Sequence, residues 1–213
     1  MARSEKHKKS KVKKDSLTRR IVRTLLAVAA LYVAVTFLIT LNDLVNMISQ
    51  NKSSRDTELG KARYEELVAD GVAEYYSVYT SAEIDSNPDL EVVKLYYFPA
   101  ENAEKAPFAI VLPGGGYYEC DIYKVGLPTA ATLNESGYSA FVLGYRYGKY
   151  SSEYAPLEDL ARALTYILDN AETFNVDASN YALFGFSAGG NLAGLFASET
   201  LGYAKYGLPA PTA

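Results

Sequence analysis

Beyond about residue 66 short apolar runs alternate with helical patterns, and that alternation leaves few folds open. Pro107-Phe-Ala-Ile-Val-Leu112 is a continuous apolar run of strand length, as expected for a strand covered on both faces. Tyr138–Tyr145 and Tyr181–Phe186 have the same character. Leu90–Phe98 is rich in β-branched and aromatic residues and ends at Pro99, and Gly71–Thr80 alternates loosely, as an edge strand would. Helical patterns fall between them. Pro128–Glu135 opens on a proline suited to a first helical turn and ends near Ser136-Gly137. Leu157–Asn170 places Leu157, Leu160, Ala161, Leu164, Ile167 and Leu168 on one face. Ala188–Glu199 is apolar and small-residue, as suits a helix packed tightly on a sheet. These patterns predict an α/β class with a mostly parallel sheet flanked by helices.

The first 65 residues read differently. Residues 1–23 carry ten lysines and arginines against Glu5 and Asp15, so the net charge of −4 hides a basic tail on an acidic body. An acidic body does not attract nucleic acid, and none is expected as a partner. From Thr24 to Asn42 no residue is charged. As a helix this run would span roughly 28 Å, close to the thickness of a bilayer's hydrocarbon core. A buried core helix of this length would normally show a polar stripe, which is missing here. The cationic flank (Arg19, Arg20, Arg23) is expected to stay on the cytoplasmic side, sending everything after Asn42 across the membrane. A cleaved leader is the rival reading, but no small-x-small pair follows the run. The expected layout is a cytoplasmic tail (1–23), a transmembrane helix (24–42) held in the lipid bilayer of the cell membrane, a polar linker or juxtamembrane helix (43–65) and an extracytoplasmic α/β domain (66–213).

Two glycine-rich segments carry the chemistry. Gly185-Phe-Ser187-Ala-Gly189-Gly190 follows an expected strand directly and opens an expected helix. In that setting Gly-x-Ser-x-Gly places the serine on a strained turn with its hydroxyl exposed at the sheet edge, and Ser187 is the expected nucleophile. Leu112-Pro-Gly114-Gly115-Gly116-Tyr117-Tyr118 follows the Pro107–Leu112 strand. A glycine triplet there allows backbone N–H groups to turn towards the serine. The expected oxyanion donors are Gly115, Gly116 and Ala188. Read structurally, each segment is a turn that changes chain direction. A phosphate loop is excluded, because no Gly-Lys-Ser/Thr follows. Tyr117 and Tyr118 are candidates for lining a substrate pocket, with ordinary packing as the alternative. Tyr145-Arg146 and Asp159 are expected to form a buried ion pair at a strand end. The one cysteine, Cys120, has no histidine near it in sequence and is expected to be an inert thiol.

With Gly-Tyr-Arg-Tyr-Gly at 144–148 and Pro-Leu-Glu-Asp at 156–159, these motifs resemble the α/β-hydrolase superfamily. Within it they resemble esterases related to hormone-sensitive lipase and to bacterial carbohydrate esterases. The resemblance runs from about residue 66 onward. Pro113 stands where relatives often have histidine, and so does Asn191; neither position belongs to a catalytic triad. The resemblance implies a serine esterase that cleaves small-molecule or carbohydrate esters through an acyl-serine, with no metal and no organic cofactor. A serine peptidase of the same fold is the nearest enzymatic rival.

One part of that chemistry is missing from the sequence. A triad in this fold runs Ser, then Asp or Glu, then His, yet the single histidine is His7, in the basic tail. Two readings follow: a piece of a longer esterase, or an inactive membrane-tethered binding module. The first is favoured, because a sheet cut after its nucleophile strand exposes an apolar edge.

Overall fold

A computed structural model describes the backbone of residues 2–72, 74–101 and 105–213, and their side chains except those of 2–24, 26, 27, 29, 30, 47, 48 and 51. The chain divides into two compact units, Met1–Lys52 and Ser53–Ala213.

The first unit lies within helix α1 (Ala2–Ala69). Its described apolar side chains are open to the surroundings: Leu25, Leu31, Tyr32, Val33, Phe37 and Leu38 are each more than 60 % exposed. Thr36 and Thr40 turn their hydroxyls back onto the carbonyls of the preceding turn, at 2.9–3.1 Å. Among the described residues no helix is long and apolar enough to cross a membrane. Thr24, Leu26, Ala27, Ala29 and Ala30, part of the expected transmembrane run, lie outside the described side chains, as does His7.

The second unit is built on a five-stranded sheet ordered β1-β2-β4-β3-β5, comprising Tyr76–Ser77, Lys94–Phe98, Ala106–Leu112, Ser139–Gly144 and Val176–Gly185 as β1 to β5. Strand β3 runs parallel to β4 and β5, whereas β2 is antiparallel to both β4 and β1. The sheet is therefore mixed rather than mostly parallel. The reason lies in the connections: a parallel return needs a crossover of a dozen residues or more. The short 99–105 link between β2 and β3 reverses direction instead.

The sheet buries both faces, and β3 shows how. Phe108, Ile110 and Leu112 project into a core shared with helices α4 (Ala155–Asp169) and α5 (Ala188–Phe196). Val111 projects to the opposite face, against α3 (Leu127–Glu135) and the last turns of α1. Successive residues of a strand point to opposite faces, so a wholly apolar run fills two cores at once. Each fully buried leucine contributes about 1.5–3 kcal/mol. On the α4 face Leu157, Leu160, Leu164 and Ile167 are buried as the helical pattern requires. On the other face Tyr64 and Leu67 of α1 pack with Phe98 and Ala130, and a Cβ on Gly60 would stand 2.5 Å from Pro128 Cα. The helix thus continues through 43–65, the residues expected as a polar linker or juxtamembrane helix.

The weaker sequence signals resolve differently. Of the described residues in Gly71–Thr80 only two pair as a strand, and Thr80 caps helix α2 (Ser81–Ser86). Pro88–Val92 forms a 3-10 turn, because proline fixes a helical φ at its start while Asn87 caps it. Beyond α5, Thr212 N donates to Tyr181 O at 2.8 Å and Leu183 N to Ala213 O at 2.9 Å, so these last residues lie along the outer edge of β5.

Candidate active site

At the C-terminal edge of the parallel strands, β5 passes into α5 through two residues, Phe186 and Ser187. Ser187 is forced to φ 52°, ψ −115°, a region that L residues avoid. Its neighbours explain how the turn can be so tight. A Cβ on Gly185 would stand 2.3 Å from Gly189 O, and one on Gly189 would stand 2.0 Å from Leu112 O. Strand β3, β5 and the first turn of α5 therefore touch backbone to backbone. Phe186 N donates to Leu112 O at 3.1 Å and Gly189 N to Phe186 O at 2.8 Å, which fixes the turn. Ser187 itself is exposed.

The glycine loop after β3 abuts this turn. A Cβ on Gly114 would stand 3.2 Å from Ser187 Cβ and 3.0 Å from Phe186 O, so any side chain here would have to push the serine turn back by a few tenths of an ångström. Gly115 (φ 133°), Gly116 (φ 61°) and Tyr117 (φ 62°) then turn through left-handed conformations. The loop is held at both ends. Tyr145 donates its hydroxyl to Pro113 O at 2.6 Å, and Gly148 N donates to Tyr117 O at 2.6 Å. Within this frame no described residue accepts a hydrogen bond from the N–H of Gly115, Gly116 or Ala188. They are unused donors beside a serine, an arrangement able to stabilise negative charge developing on an oxygen there.

Tyr117 joins the site and Tyr118 does not. The Tyr117 hydroxyl donates to Asn191 Oδ1 at 3.0 Å, and Asn191 N donates to Ser187 O at 3.0 Å. Burial pushes the Tyr117 phenol above its ordinary pKa, keeping it a donor. Tyr118 is 88 % exposed. Beside Tyr117 and Asn191 opens a cavity of about 380 Å³, walled by Glu153 and Tyr154 and floored by Leu157 and Leu192. Sequence reasoning missed this cavity. Nothing in Ser151-Ser-Glu-Tyr154 advertises that Glu153 (φ 53°) and Tyr154 (φ 64°) both adopt the left-handed conformation.

The buried ion pair is present. Arg146 and Asp159 meet at 2.8–3.0 Å through the guanidinium and both carboxylate oxygens, and Arg146 N adds a 2.8 Å bond. Tyr79 donates its hydroxyl to Asp159 Oδ1 at 2.8 Å, a contact 80 residues away in sequence that the sequence did not reveal. Burial pushes the Asp159 carboxyl upward and these donors pull it back; with a permanently charged guanidinium on both oxygens, the pair is held as ions. Every acceptor here is occupied, so the cluster is scaffold. Cys120 is also set apart: burial raises its thiol to about 12, far above the range of a reactive thiolate. Among the described residues, no cluster of His, Cys, Asp or Glu is able to hold a metal ion.

The chain belongs to the BD-FAE family, an α/β-hydrolase-like family whose model matches residues 95–202, and its mixed sheet with flanking helices is the α/β-hydrolase fold. Among curated proteins it is 33 % identical over 109 residues to endo-1,4-beta-xylanase B of Butyrivibrio fibrisolvens, a stretch of 50 % of this chain and 17 % of that protein. It is 29 % identical over 87 residues to an acetylxylan esterase of Xylanibacter ruminicola, which is 41 % of this chain and 18 % of that one. Among solved structures it is similar to the acetyl ester-xyloside bifunctional hydrolase of Caldicellulosiruptor lactoaceticus. That match has a TM-score of 0.53 and 32 % identity, over 59 % of this chain and 46 % of that one. An α/β-hydrolase enzyme from a Medee basin deep-sea metagenome library matches with a TM-score of 0.52 and 29 % identity, over 64 % and 52 % of the two chains. The chain thus spans under a fifth of the length of these curated relatives and about half that of these solved structures.

Proposed function

We propose that this chain carries the nucleophile half of a membrane-anchored serine esterase that cleaves carboxylic esters, with acylated carbohydrates as the favoured substrates. The observation that carries the reading is the strained Ser187 beside the unoccupied N–H groups of Gly115, Gly116 and Ala188. In the reaction, Ser187 Oγ attacks the ester carbonyl while a base takes its proton, and the N–H groups bind the oxyanion. The alcohol leaves with that proton, and water then releases the acid from acyl-Ser187. The base is the histidine of a triad whose acid and histidine lie outside these 213 residues. The esterase names among the relatives support the ester bond, and their xylan-directed names support a sugar ester.

Anchoring rests on the uncharged run 24–42, on the exposure of its described apolar side chains and on threonine hydroxyls satisfied within the helix. A lipid bilayer would cover that surface.

The test is a protein extended along its own reading frame. It should hydrolyse p-nitrophenyl acetate, and Ser187→Ala should lower kcat/KM by about 10⁴-fold or more while leaving the fold intact. Equal turnover by that variant removes Ser187 from the chemistry. Carbonate extraction should leave the chain in the membrane pellet, and protease added outside intact cells should digest the 66–213 domain.

A second reading, an inactive tethered binding module, is favoured by one observation: no described side chain stands against the Ser187 hydroxyl as a base. An extended protein that binds substrate but shows no turnover would select it.

A further inference from the structure

Five described residues other than glycine have positive φ, and four of them bear on one place. Tyr117 and Ser187 belong to the site; Glu153 and Tyr154 form the wall of the cavity beside it; only Asn175 lies elsewhere. Backbone strain of this kind persists where the surroundings over-determine it, and it collects at ligand sites. Here it has a visible result. Tyr154 caps the start of α4 in a left-handed conformation, and the residue stays 57 % exposed at the cavity instead of packing into the core. The Glu153 carboxylate has no ion-pair or hydrogen-bond partner among the described residues.

Resting on the esterase reading, we propose that this cavity is the subsite for the sugar part of the ester, with Tyr154 as its stacking platform and Glu153 as its hydroxyl acceptor. The lining decides between sugar and acyl chain. A pyranose has an apolar C–H face and an equator of hydroxyls, so it needs an aromatic surface together with polar groups at hydrogen-bonding range. The cavity offers both: the Tyr117 and Tyr154 rings, the Glu153 carboxylate and the Asn191 amide, over a floor of buried Leu157 and Leu192. An acyl chain would use the apolar floor but would leave the Glu153 carboxylate and the Asn191 amide without a partner on the ligand. At about 380 Å³ the cavity is at the small end of ligand pockets, which span roughly 300–1,000 Å³. Its position fits as well. Asn191 lines the cavity, accepts from Tyr117 and donates to Ser187 O, so a sugar held there sits one helical turn from the serine.

The test reads binding without turnover. The full chain in detergent micelles is titrated with xylotriose and followed by NMR. Saturable binding is expected, with no competition from octanoate. Tyr154→Gly suits the left-handed backbone and so should fold, and it should weaken binding by tenfold or more. Glu153→Gln should weaken it severalfold, and Tyr118→Ala, at an exposed residue outside the cavity, should leave it unchanged. Absence of saturable binding, full binding by Tyr154→Gly or displacement by octanoate would each overturn the assignment. An extended protein that hydrolyses esters but binds no xylotriose would sink this subsite while leaving the esterase reading standing. The reverse result, xylotriose binding without hydrolysis, would uphold the subsite and sink the esterase.

Discussion

Strands β4 and β5 both run into a helix at the same edge of the sheet, and the two junctions are built on opposite principles. Between β4 and α4 the chain takes ten residues, and Arg146 and Asp159 close it with a buried ion pair in which every carboxylate oxygen is bonded. Between β5 and α5 it takes two residues and no charge. That junction closes by backbone contact at Gly185 and Gly189, and it leaves the Ser187 hydroxyl and nearby N–H groups without partners. The first junction spends its polar groups on holding the fold; the second holds the fold by shape and keeps its polar groups free. The contrast shows how one sheet edge separates scaffold from site.

The contrast can be broken in order of effect. Asp159→Ala removes the fully buried partner of Arg146, leaves it only the more exposed Glu158 at 3.2 Å, and should cost about 3 kcal/mol in urea unfolding. A cost below about 1 kcal/mol would show that the pair is dispensable. Gly189→Ala pushes a methyl to 2.0 Å from Leu112 O and should cost about 3 kcal/mol, because rigid backbone has to move. A variant as stable as the parent would mean that the backbone contact is loose. Ser187→Gly is the reverse case. It relieves the φ 52° strain and should raise stability by about 1 kcal/mol while abolishing ester hydrolysis in an extended protein. A loss of stability would place Ser187 with the scaffold. Smallest of all is the effect at Cys120, which changes a rate and not the fold. With its thiol raised to about 12, the thiolate is scarce at pH 8, and alkylation by iodoacetamide should run at least about 100-fold slower in the native chain than in urea. Equal rates would show the loop opening freely around it.

Much of this was legible in the sequence, for a physical reason. Runs such as Pro107–Leu112 fill both faces of a central strand, and nothing but a covered sheet satisfies them. The Gly185–Gly190 and Gly114–Gly116 segments were legible because glycine is needed wherever backbones touch. What escaped depends on partners distant in the chain. Asp177–Asn180 belong to β5 yet bulge between the Ala106–Val176 and Phe108–Tyr181 pairs, and nothing in these polar residues favours a strand. The antiparallel β2 followed from the brevity of a connection rather than from its own residues. Tyr79 with Asp159 and Tyr117 with Asn191 bridge 80 and 74 residues, beyond any local pattern. Glu153 and Tyr154 are residues that usually avoid left-handed backbone, so their strain was invisible until the cavity was seen.

The hydroxyl of Tyr145, buried and bonded to the carbonyl of Pro113, fastens the chain at the residue just before the three glycines. Three successive glycines would otherwise be the most freely moving segment of the molecule. Because the fastening is part of the core, the entropy of ordering that loop is given up once, when the chain folds, and not again at each encounter with a ligand.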